Sequence, residues 1–200
     1  FADLPVPLVR LFKRSQLIIR TQIENDGAII AANDSDIMQF NRDTYSYMWP
    51  RDGALTASAL IQTGHSSIAR KFFRFCDSLL HPDGYFMQKY NPDGSLASSW
   101  HPWVINGQPH YPFQEDETAL VIWALWQHFD QFRDVEFITP LYQHLIIGAG
   151  QFMMRHRDHA TNLPLPSFDL WEERYGIHTF TVCTVIAALK AAAQFASAFG

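Results

Sequence analysis

The chain has 200 residues and a formal net charge of −5, from 15 basic and 20 acidic side chains. Its basic residues cluster only at Arg10, Lys13 and Arg14, which argues against a nucleic-acid partner, because binding nucleic acid requires the neutralisation of many phosphates. Hydrophobic residues make up 48% of the chain and would fill a large core. A membrane span is not expected, because crossing a bilayer takes roughly 20 apolar residues and the nearest candidate, 182–199, is interrupted by Lys190.

Six helices are predicted from the spacing of apolar residues. They cover 8–24, 53–63, 66–80, 119–126, 136–156 and 178–199, and a polar loop is predicted at 33–44. The clearest periodicity is in 66–80, where a single apolar stripe indicates an outer helix. The segment 119–126 is apolar throughout and is expected to be buried on all sides. This alternation predicts an all-α fold with two concentric layers of helices.

A loop before the second predicted helix combines aromatic rings with an acid and a base. Tyr45 and Trp49 precede the adjacent Arg51 and Asp52 in the sequence Tyr-Ser-Tyr-Met-Trp-Pro-Arg-Asp-Gly. Arginine offers a planar fork of donors and aspartate is a pure acceptor, so the pair can hold neighbouring hydroxyls of a sugar. The pair could equally be an ion pair that caps a helix.

The stretch between the third and fourth predicted helices begins with two turns. The tetrads His-Pro-Asp-Gly at 81–84 and Asn-Pro-Asp-Gly at 91–94 flank 85–90, so a small β-hairpin is predicted there. The next loop is long and carries Trp100 and Trp103, and long loops inside a compact domain are usually functional. These indoles form either a pocket rim that stacks on a sugar or a plug against the helices.

The segment Asp169-Leu170-Trp171-Glu172-Glu173 places three carboxylates beside a tryptophan. Cleavage of a glycosidic bond needs an acid that keeps its proton near neutral pH, and an apolar wall such as an indole raises a carboxyl pKa by disfavouring the charged form. The two glutamates could instead be solvated acids that open a helix, where the helix dipole favours them.

Together these motifs resemble glycoside hydrolase family 15, the glucoamylase family. The resemblance rests on the Trp-Pro-Arg-Asp loop, on Gln-Glu-Asp-Glu-Thr-Ala at 114–119 and on Asp-Leu-Trp-Glu-Glu, three separated motifs in the family's order. It extends from about Gln16 to the C-terminal end. It implies an (α/α)6 barrel of which this chain holds about the first half, and an inverting, exo-acting α-glucosidase that needs no cofactor and no metal.

The resemblance also implies a role for each matching residue. Glu172 corresponds to the general acid, and Glu173 to a ligand of the substrate's hydroxyl groups. Arg51 and Asp52 correspond to residues that bind the terminal glucose. The residues expected to line or shape the site are Tyr45, Trp49, Asp169, Leu170 and Trp171, with Trp100, Trp103, Gln114 and Asp116 as further candidates at its edge.

Inversion also requires a general base, set roughly 6.5–9.5 Å from the acid so that a water molecule fits between them. In the family this base lies far downstream of the acid, so we expect it outside these 200 residues and assign it to neither Asp52 nor Asp116. The chain starts without Met and ends inside an apolar stretch. It is therefore interpreted as a fragment, a partial catalytic domain over 1–200 that the remaining half of the barrel completes.

Substrate and compartment are less constrained by the sequence. The expected substrates are α-glucans or malto- and isomalto-oligosaccharides, but the same family includes trehalases and glucodextranases, and fold alone does not decide substrate. Similar barrels also occur in non-catalytic regulatory subunits of phosphorylase kinase, although the complete Asp-Leu-Trp-Glu-Glu motif favours an enzyme. Cys76 and Cys183 are predicted to be buried free thiols, which favours a reducing compartment such as the cytoplasm.

Overall fold

The computed structural model describes residues 3–34 and 45–200, so most of the loop predicted at 33–44 lies outside the described residues. The described chain is mainly helical. Its helices are α1 (Val6–Thr21), α2 (Pro50–Gln62), α3 (Ser66–Leu79), α4 (Glu115–Phe132), α5 (Val135–Leu141), α6 (Gly148–Arg155) and α7 (Thr179–Phe199). Two short antiparallel hairpins pair β1 (Val104–Ile105) with β2 (Gln108–Pro109), and β3 (Ser167–Phe168) with β4 (Tyr175–Gly176).

The six predicted helices are confirmed, with two differences in detail. The helix predicted at 136–156 is divided into α5 and α6 by a π-helical turn, Tyr142–Ile147. Pro140 lies inside α5 just before this turn, and a proline in a helix removes one backbone donor and clashes with the preceding turn. The central helix α4 is longer than predicted, because its first turn contains three acids that the helix dipole stabilises.

Helix α4 is the centre of the packing. It packs between α2 and α7 and is buried on nearly all sides from Glu115 to Phe129. Burial was predicted for the apolar segment 119–126, and in the structure it extends to the three acids before that segment. Helix α3 lies outside α2 and α4 and buries one face, which includes Phe72 and Cys76. The inner helices α2, α4 and α7 and the outer helix α3 have the arrangement expected for part of an (α/α)6 barrel.

The hairpin prediction at 85–90 is wrong in position. Both flanking turns are present, and Gly84 and Gly94 have positive φ angles of 92° and 86°, but the residues between them form no strand. Tyr90 instead makes single bridges to Met48 and to Leu96. The β1–β2 hairpin lies in the following aromatic loop, where Asn106-Gly107, with φ angles of 51° and 74°, supplies the left-handed conformation that tight hairpin turns need.

Helix α7 differs from prediction in two respects. By length and composition it could cross a membrane, contrary to the expectation that no segment could. This is weak support for a membrane protein, because core helices of soluble proteins satisfy the same criterion and α7 packs along α4. The prediction that both cysteines are buried is correct for Cys76 and wrong for Cys183, which is exposed on α7.

Candidate active site

One pocket contains most of the predicted site residues. It has a volume of about 200 Å³ and is bordered by residues from the 45–52 segment, the aromatic loop and the 169–173 segment. Its lining comprises Ala31, Tyr45, Trp49, Arg51, Asp52, Trp100, Leu170, Trp171 and Glu172. The predicted residues that do not line it are Trp103, Gln114, Asp116, Asp169 and Glu173.

The start of α2 places Arg51 and Asp52 in the pocket. Pro50 is the first residue of the helix, where its fixed φ angle suits the helix and its missing N–H costs nothing. Asp52 is half exposed, and its carboxylate lies 3.4 Å from Nη2 of Arg51. Arg51 is buried and points towards the acids that begin α4, so the predicted pair belongs both to the pocket and to the core.

Arg51 is held by buried acceptors on α4. Its Nη1 donates to Oδ2 of Asp116 at 2.9 Å and to Oε1 of Gln114 at 3.2 Å, and lies 2.8 Å from Oε1 of Glu117. The backbone N–H of Arg51 also donates to Oε2 of Glu117. Asp116, which was expected near the site, therefore acts behind Arg51 rather than in the pocket.

The charges in this cluster shift one another's protonation. Burial lowers the pKa of Arg51, but the charges of Glu117 and Asp116 outweigh this and raise the pKa above its ordinary value. Burial raises the pKa of Asp116 and raises that of Glu117 still more, while the charge of Arg51 opposes both shifts. The guanidinium thus stays charged, and the acids around it bind a proton more readily than exposed acids would.

Gln114 joins the two halves of the site. Its Oε1 accepts from Arg51, and its Nε2 donates to the carbonyl oxygens of Phe168, at 3.3 Å, and Asp169. A single side chain thereby connects the start of α2 with the loop that carries the predicted acid. This is a positional role, although the sequence suggested only that Gln114 lies at the edge of the site.

The segment 169–173 forms the tip of the β3–β4 hairpin and not the start of a helix. Oδ1 of Asp169 accepts from the backbone N–H groups of Glu173, at 2.9 Å, and Arg174, at 3.4 Å. Burial raises the pKa of Asp169, but these hydrogen bonds lower it more, so the pKa lies below its ordinary value. Asp169 therefore shapes the loop, while the exposed Glu173 does not reach the pocket lining.

Glu172 has an unusual backbone and a shielded carboxyl. Its φ angle is 59°, in the left-handed region that residues other than glycine seldom adopt, and such conformations concentrate at functional sites. Its side chain is 8% exposed. Its Oε2 has no hydrogen-bond partner among the described residues. The carboxyl thus lies at the pocket wall with one oxygen shielded from solvent.

His101 is a close neighbour of Glu172 that the sequence analysis missed. Its Nε2 lies 3.0 Å from the carbonyl oxygen of Glu172 and 3.8 Å from Oε2 of the same residue. Its ring stacks on Phe168, with centroids 3.9 Å apart and planes 12° apart. The position of His101 between Trp100 and Pro102 in an aromatic loop was a weak signal, because nothing local links it to a segment 71 residues away.

The opposite wall of the pocket is aromatic. The ring of Tyr45 lies 5.9 Å from the rings of both Trp49 and Trp100. Buried Lys89 supports this wall, because its Nζ lies 3.5 Å from the ring centre of Trp100 and 5.5 Å from that of Trp49. Trp171 is 77% exposed and forms the outer edge. Of the two loop indoles, Trp100 therefore forms part of the pocket and Trp103 does not.

Among residues 3–34 and 45–200, no group of three His, Cys, Asp or Glu side chains is arranged to hold a metal ion.

A sequence model described as Glycosyl hydrolases family 15 matches residues 12–200. The chain belongs to this family. The match includes the Trp-Pro-Arg-Asp loop and the Asp-Leu-Trp-Glu-Glu segment, and each contributes three residues to the pocket lining: Trp49, Arg51 and Asp52 from the loop, and Leu170, Trp171 and Glu172 from the segment.

Similar proteins agree with this assignment. An uncharacterised glycosyl hydrolase of Methanocaldococcus jannaschii is 29% identical over 187 residues, which cover 93% of this chain and 26% of the relative. A probable glucoamylase of Schizosaccharomyces pombe is 26% identical over 196 residues, which cover 88% of this chain and 39% of the relative. The chain thus spans well under half the length of either relative.

The fold is also similar to that of solved glycosidases. The structure of a glycosidase in complex with glucose matches with a TM-score of 0.66 and 20% sequence identity. The alignment covers 94% of this chain and 54% of that glycosidase. The likeness shows that the described helices are arranged as in a glycosidase of this kind, and it agrees with the expected partial barrel.

Proposed function

We propose that this chain is part of the catalytic domain of an inverting, exo-acting α-glucosidase, which releases glucose from the non-reducing ends of α-glucans or of malto- and isomalto-oligosaccharides. The observation that carries the proposal is the single pocket that is lined by Glu172, by the Arg51–Asp52 pair and by several aromatic rings. Family membership makes a glycosidic bond the expected target. No cofactor takes part in the proposed reaction.

In this proposal Glu172 donates a proton to the glycosidic oxygen as the bond breaks. Its place at the pocket wall, with one shielded oxygen, suits an acid that reacts out of contact with bulk water. As the bond breaks, positive charge develops on the sugar ring, and nearby carboxylates stabilise it. Of the described residues, Asp52 is the other carboxylate in the pocket lining.

The remaining pocket residues bind the sugar. Arg51 donates to hydroxyl groups and Asp52 accepts from them, which suits neighbouring hydroxyls that are donors and acceptors at once. Tyr45, Trp49 and Trp100 offer ring faces to the apolar side of a sugar ring. We assign Asp169, Gln114 and Asp116 to holding the site in shape. The carbonyl oxygen of Asp169 accepts from the backbone N–H of Glu172, and the side chains of Gln114 and Asp116 accept from Arg51.

The general base is proposed to lie outside these 200 residues. Asp52 interacts with Arg51 and fits a substrate ligand better than a base. The chain spans 26% and 39% of its two relatives, so much of a relative's length has no counterpart here. In the proposed enzyme the remaining half of the barrel contributes the base and completes the pocket.

The test is an assay of the full-length protein on maltose, isomaltose, dextran and trehalose, with the anomer of the released glucose followed by proton NMR. We expect the inverted β-anomer as the first product. Glu172→Gln should lower kcat by about 10²–10⁴-fold, which is the usual contribution of a general acid. The matched variant Glu136→Gln changes an exposed acid on α5 and should be as active as the wild type.

Each other outcome points to a different function. Turnover of trehalose or dextran alone would move the protein to the trehalases or glucodextranases of the family. Sugar binding without turnover of any substrate would favour the non-catalytic regulatory alternative. Full activity of Glu172→Gln would contradict the assignment of the acid.

A further inference from the structure

A second, much smaller cavity adjoins Glu172. Its volume is about 10 Å³, close to the minimum of roughly 10–15 Å³ that a cavity needs to hold one water molecule. Among the described residues, Glu172 is the only one that lines both this cavity and the larger pocket. We call it the rear cavity; its polar lining is Gln88, His101, His110, Gln114 and Glu172.

Several polar atoms in the lining of the rear cavity have no hydrogen-bond partner among the described residues. They are both side-chain polar atoms of Gln88, Nδ1 of His110 and Oε2 of Glu172. Gln88 is only 3% exposed, so bulk water does not hydrate its amide. Buried polar atoms are nearly always satisfied by protein or by ordered water, and polar cavities of this size commonly hold such water.

The other groups around the cavity are already engaged. Gln114 bonds to Arg51 and to two carbonyl oxygens of the 168–169 segment. His101 directs its Nε2 towards the carbonyl oxygen of Glu172 and stacks on Phe168. The backbone of Gln88 is fixed, because its N–H donates to the carbonyl oxygen of Pro112 at 2.8 Å. The amide of Gln88 therefore lies at the rear cavity, where the side chains of Gln114 and His101 already have their own hydrogen-bond partners.

We propose that the rear cavity binds one water molecule, which links Gln88 and His110 to Oε2 of Glu172, and that Gln88 is thereby a positioning residue for the acid. The inference rests on the proposed function of Glu172. The water donates to Oε2, the shielded oxygen, and leaves Oε1 to carry the proton to the substrate. A neutral amide suits this place because it can orient the water without adding a charge.

Charged and titratable groups surround Glu172 on the side of the rear cavity and on the side of the larger pocket. His101 and His110 lie on the side of the rear cavity, and Arg51 and Asp52 lie in the pocket. Asp169, Glu173 and Arg174 share its loop. Replacing Gln88 by an apolar residue leaves all of these charges in place, so its effect reports on the water and not on a lost ion.

The first test is Gln88→Met in the full-length enzyme, because methionine has a similar length but cannot orient water. We expect kcat to fall about tenfold, equivalent to about 1.4 kcal/mol, with little change in KM. The alkaline limb of the kcat/KM profile should move to higher pH, because a dry cavity disfavours the charged carboxylate. The matched control, Gln143→Met in the exposed π-helical turn, should leave both quantities unchanged.

The second test is a high-resolution crystal structure of the full-length wild type. We expect a water within hydrogen-bond distance of Gln88, His110 and Glu172. A dry cavity, or an unmoved alkaline limb in a folded Gln88→Met enzyme, would overturn the proposal. If Gln88→Met does not fold, the crystal structure decides. If the wild type hydrolyses no glucoside, the proposed function fails, while the water site is still judged by the crystal structure.

Discussion

The Nη1 atom of Arg51 lies 2.9 Å from Oδ2 of Asp116, a side chain with no solvent exposure at the start of α4. Arg51 lines the pocket and Asp116 does not, so this ion pair connects the pocket wall to the helical core. Removing one partner of a buried pair leaves the other charge without compensation. The geometry of the pocket therefore depends on an acid outside its lining.

We expect Asp116→Ala to destabilise the full-length protein by about 3 kcal/mol. Glu117 limits the loss, because its Oε1 remains 2.8 Å from Nη1 of Arg51. The freed guanidinium should also bind sugar hydroxyls less well and raise KM. Urea unfolding and substrate kinetics on the same preparation measure the two effects.

The control for this variant is Asp130→Ala, which breaks an exposed ion pair with Arg133. Exposed pairs contribute about 1 kcal/mol at most, so unfolding should change little and KM should not change. Equal destabilisation by the two substitutions would mean that the buried Arg51–Asp116 pair contributes no more to the free energy of unfolding than the exposed pair does.

The helical fold could be predicted because its signals are local. The apolar stripe of 66–80 and the unbroken apolar run of 119–126 each identify the environment of a helix within a few turns. The hairpin was misplaced because two strong turn tetrads flank 85–90, while Tyr90 bridges to Leu96 beyond the second turn and to distant Met48. Turn residues predict where a chain reverses, but not which segments pair.

The site was predictable only in part. The resemblance to a family identified Arg51 and Glu172, which the structure places in one pocket. Lys89 and His101 were missed because their partners are remote in sequence. The resemblance also assigned Glu173 to the substrate's hydroxyl groups. Its side chain is exposed at the hairpin tip and does not line the pocket, so this role stays a prediction.

His128 is expected to lower the stability of the fold at acidic pH. It is fully buried among Phe73, Phe132 and Phe137, and burial lowers its pKa to about 4. An unfolded histidine binds a proton near pH 6.5, so between about pH 6.5 and pH 4 the unfolded state binds more protons. Its contribution is fully present above this window and falls by about 3 kcal/mol across it.

The variant His128→Leu isolates this effect, because leucine fills the same apolar site without titrating. Urea unfolding of the wild type and the variant should be compared at several pH values through the window. We expect the variant to become more stable relative to the wild type as the pH falls. Parallel stability curves would show that the histidine does not titrate in this way.

Glu115 is expected to have the opposite dependence. Burial, helped by the charge of Asp116, raises the pKa of Glu115 to about 8, and neither of its carboxyl oxygens has a hydrogen-bond partner in the described part of the chain. Between about pH 4.3, where the unfolded glutamate ionises, and pH 8, the folded state binds more protons than the unfolded state. The stabilising contribution is therefore fully present below about pH 4.3 and is lost as the pH rises to 8. Basic conditions should therefore weaken the fold.

Glu115→Gln remains neutral at every pH in this range. At pH 8 it should be more stable than the wild type by on the order of 5 kcal/mol, and the gain should disappear near pH 4. Glu136→Gln, an exposed change of the same kind on α5, should show no such difference. Urea unfolding midpoints across this pH range measure the difference in stability between the variant and the wild type. A gain for Glu115→Gln that does not vary with pH would contradict the prediction.

Lys89 is expected to hold the aromatic wall of the pocket in place. Its Nζ lies 3.5 Å from the ring centre of Trp100, and a desolvated cation on a ring face contributes about 2 kcal/mol. Lys89→Met keeps an unbranched stem but removes the charge, so Trp100 should become looser and KM should rise about tenfold. Kinetics and tryptophan fluorescence with bound sugar measure the change. The control Lys71→Met removes an exposed charge on α3 and should change neither KM nor the tryptophan fluorescence. An unchanged KM in Lys89→Met would mean that the aromatic wall keeps its position without the cation.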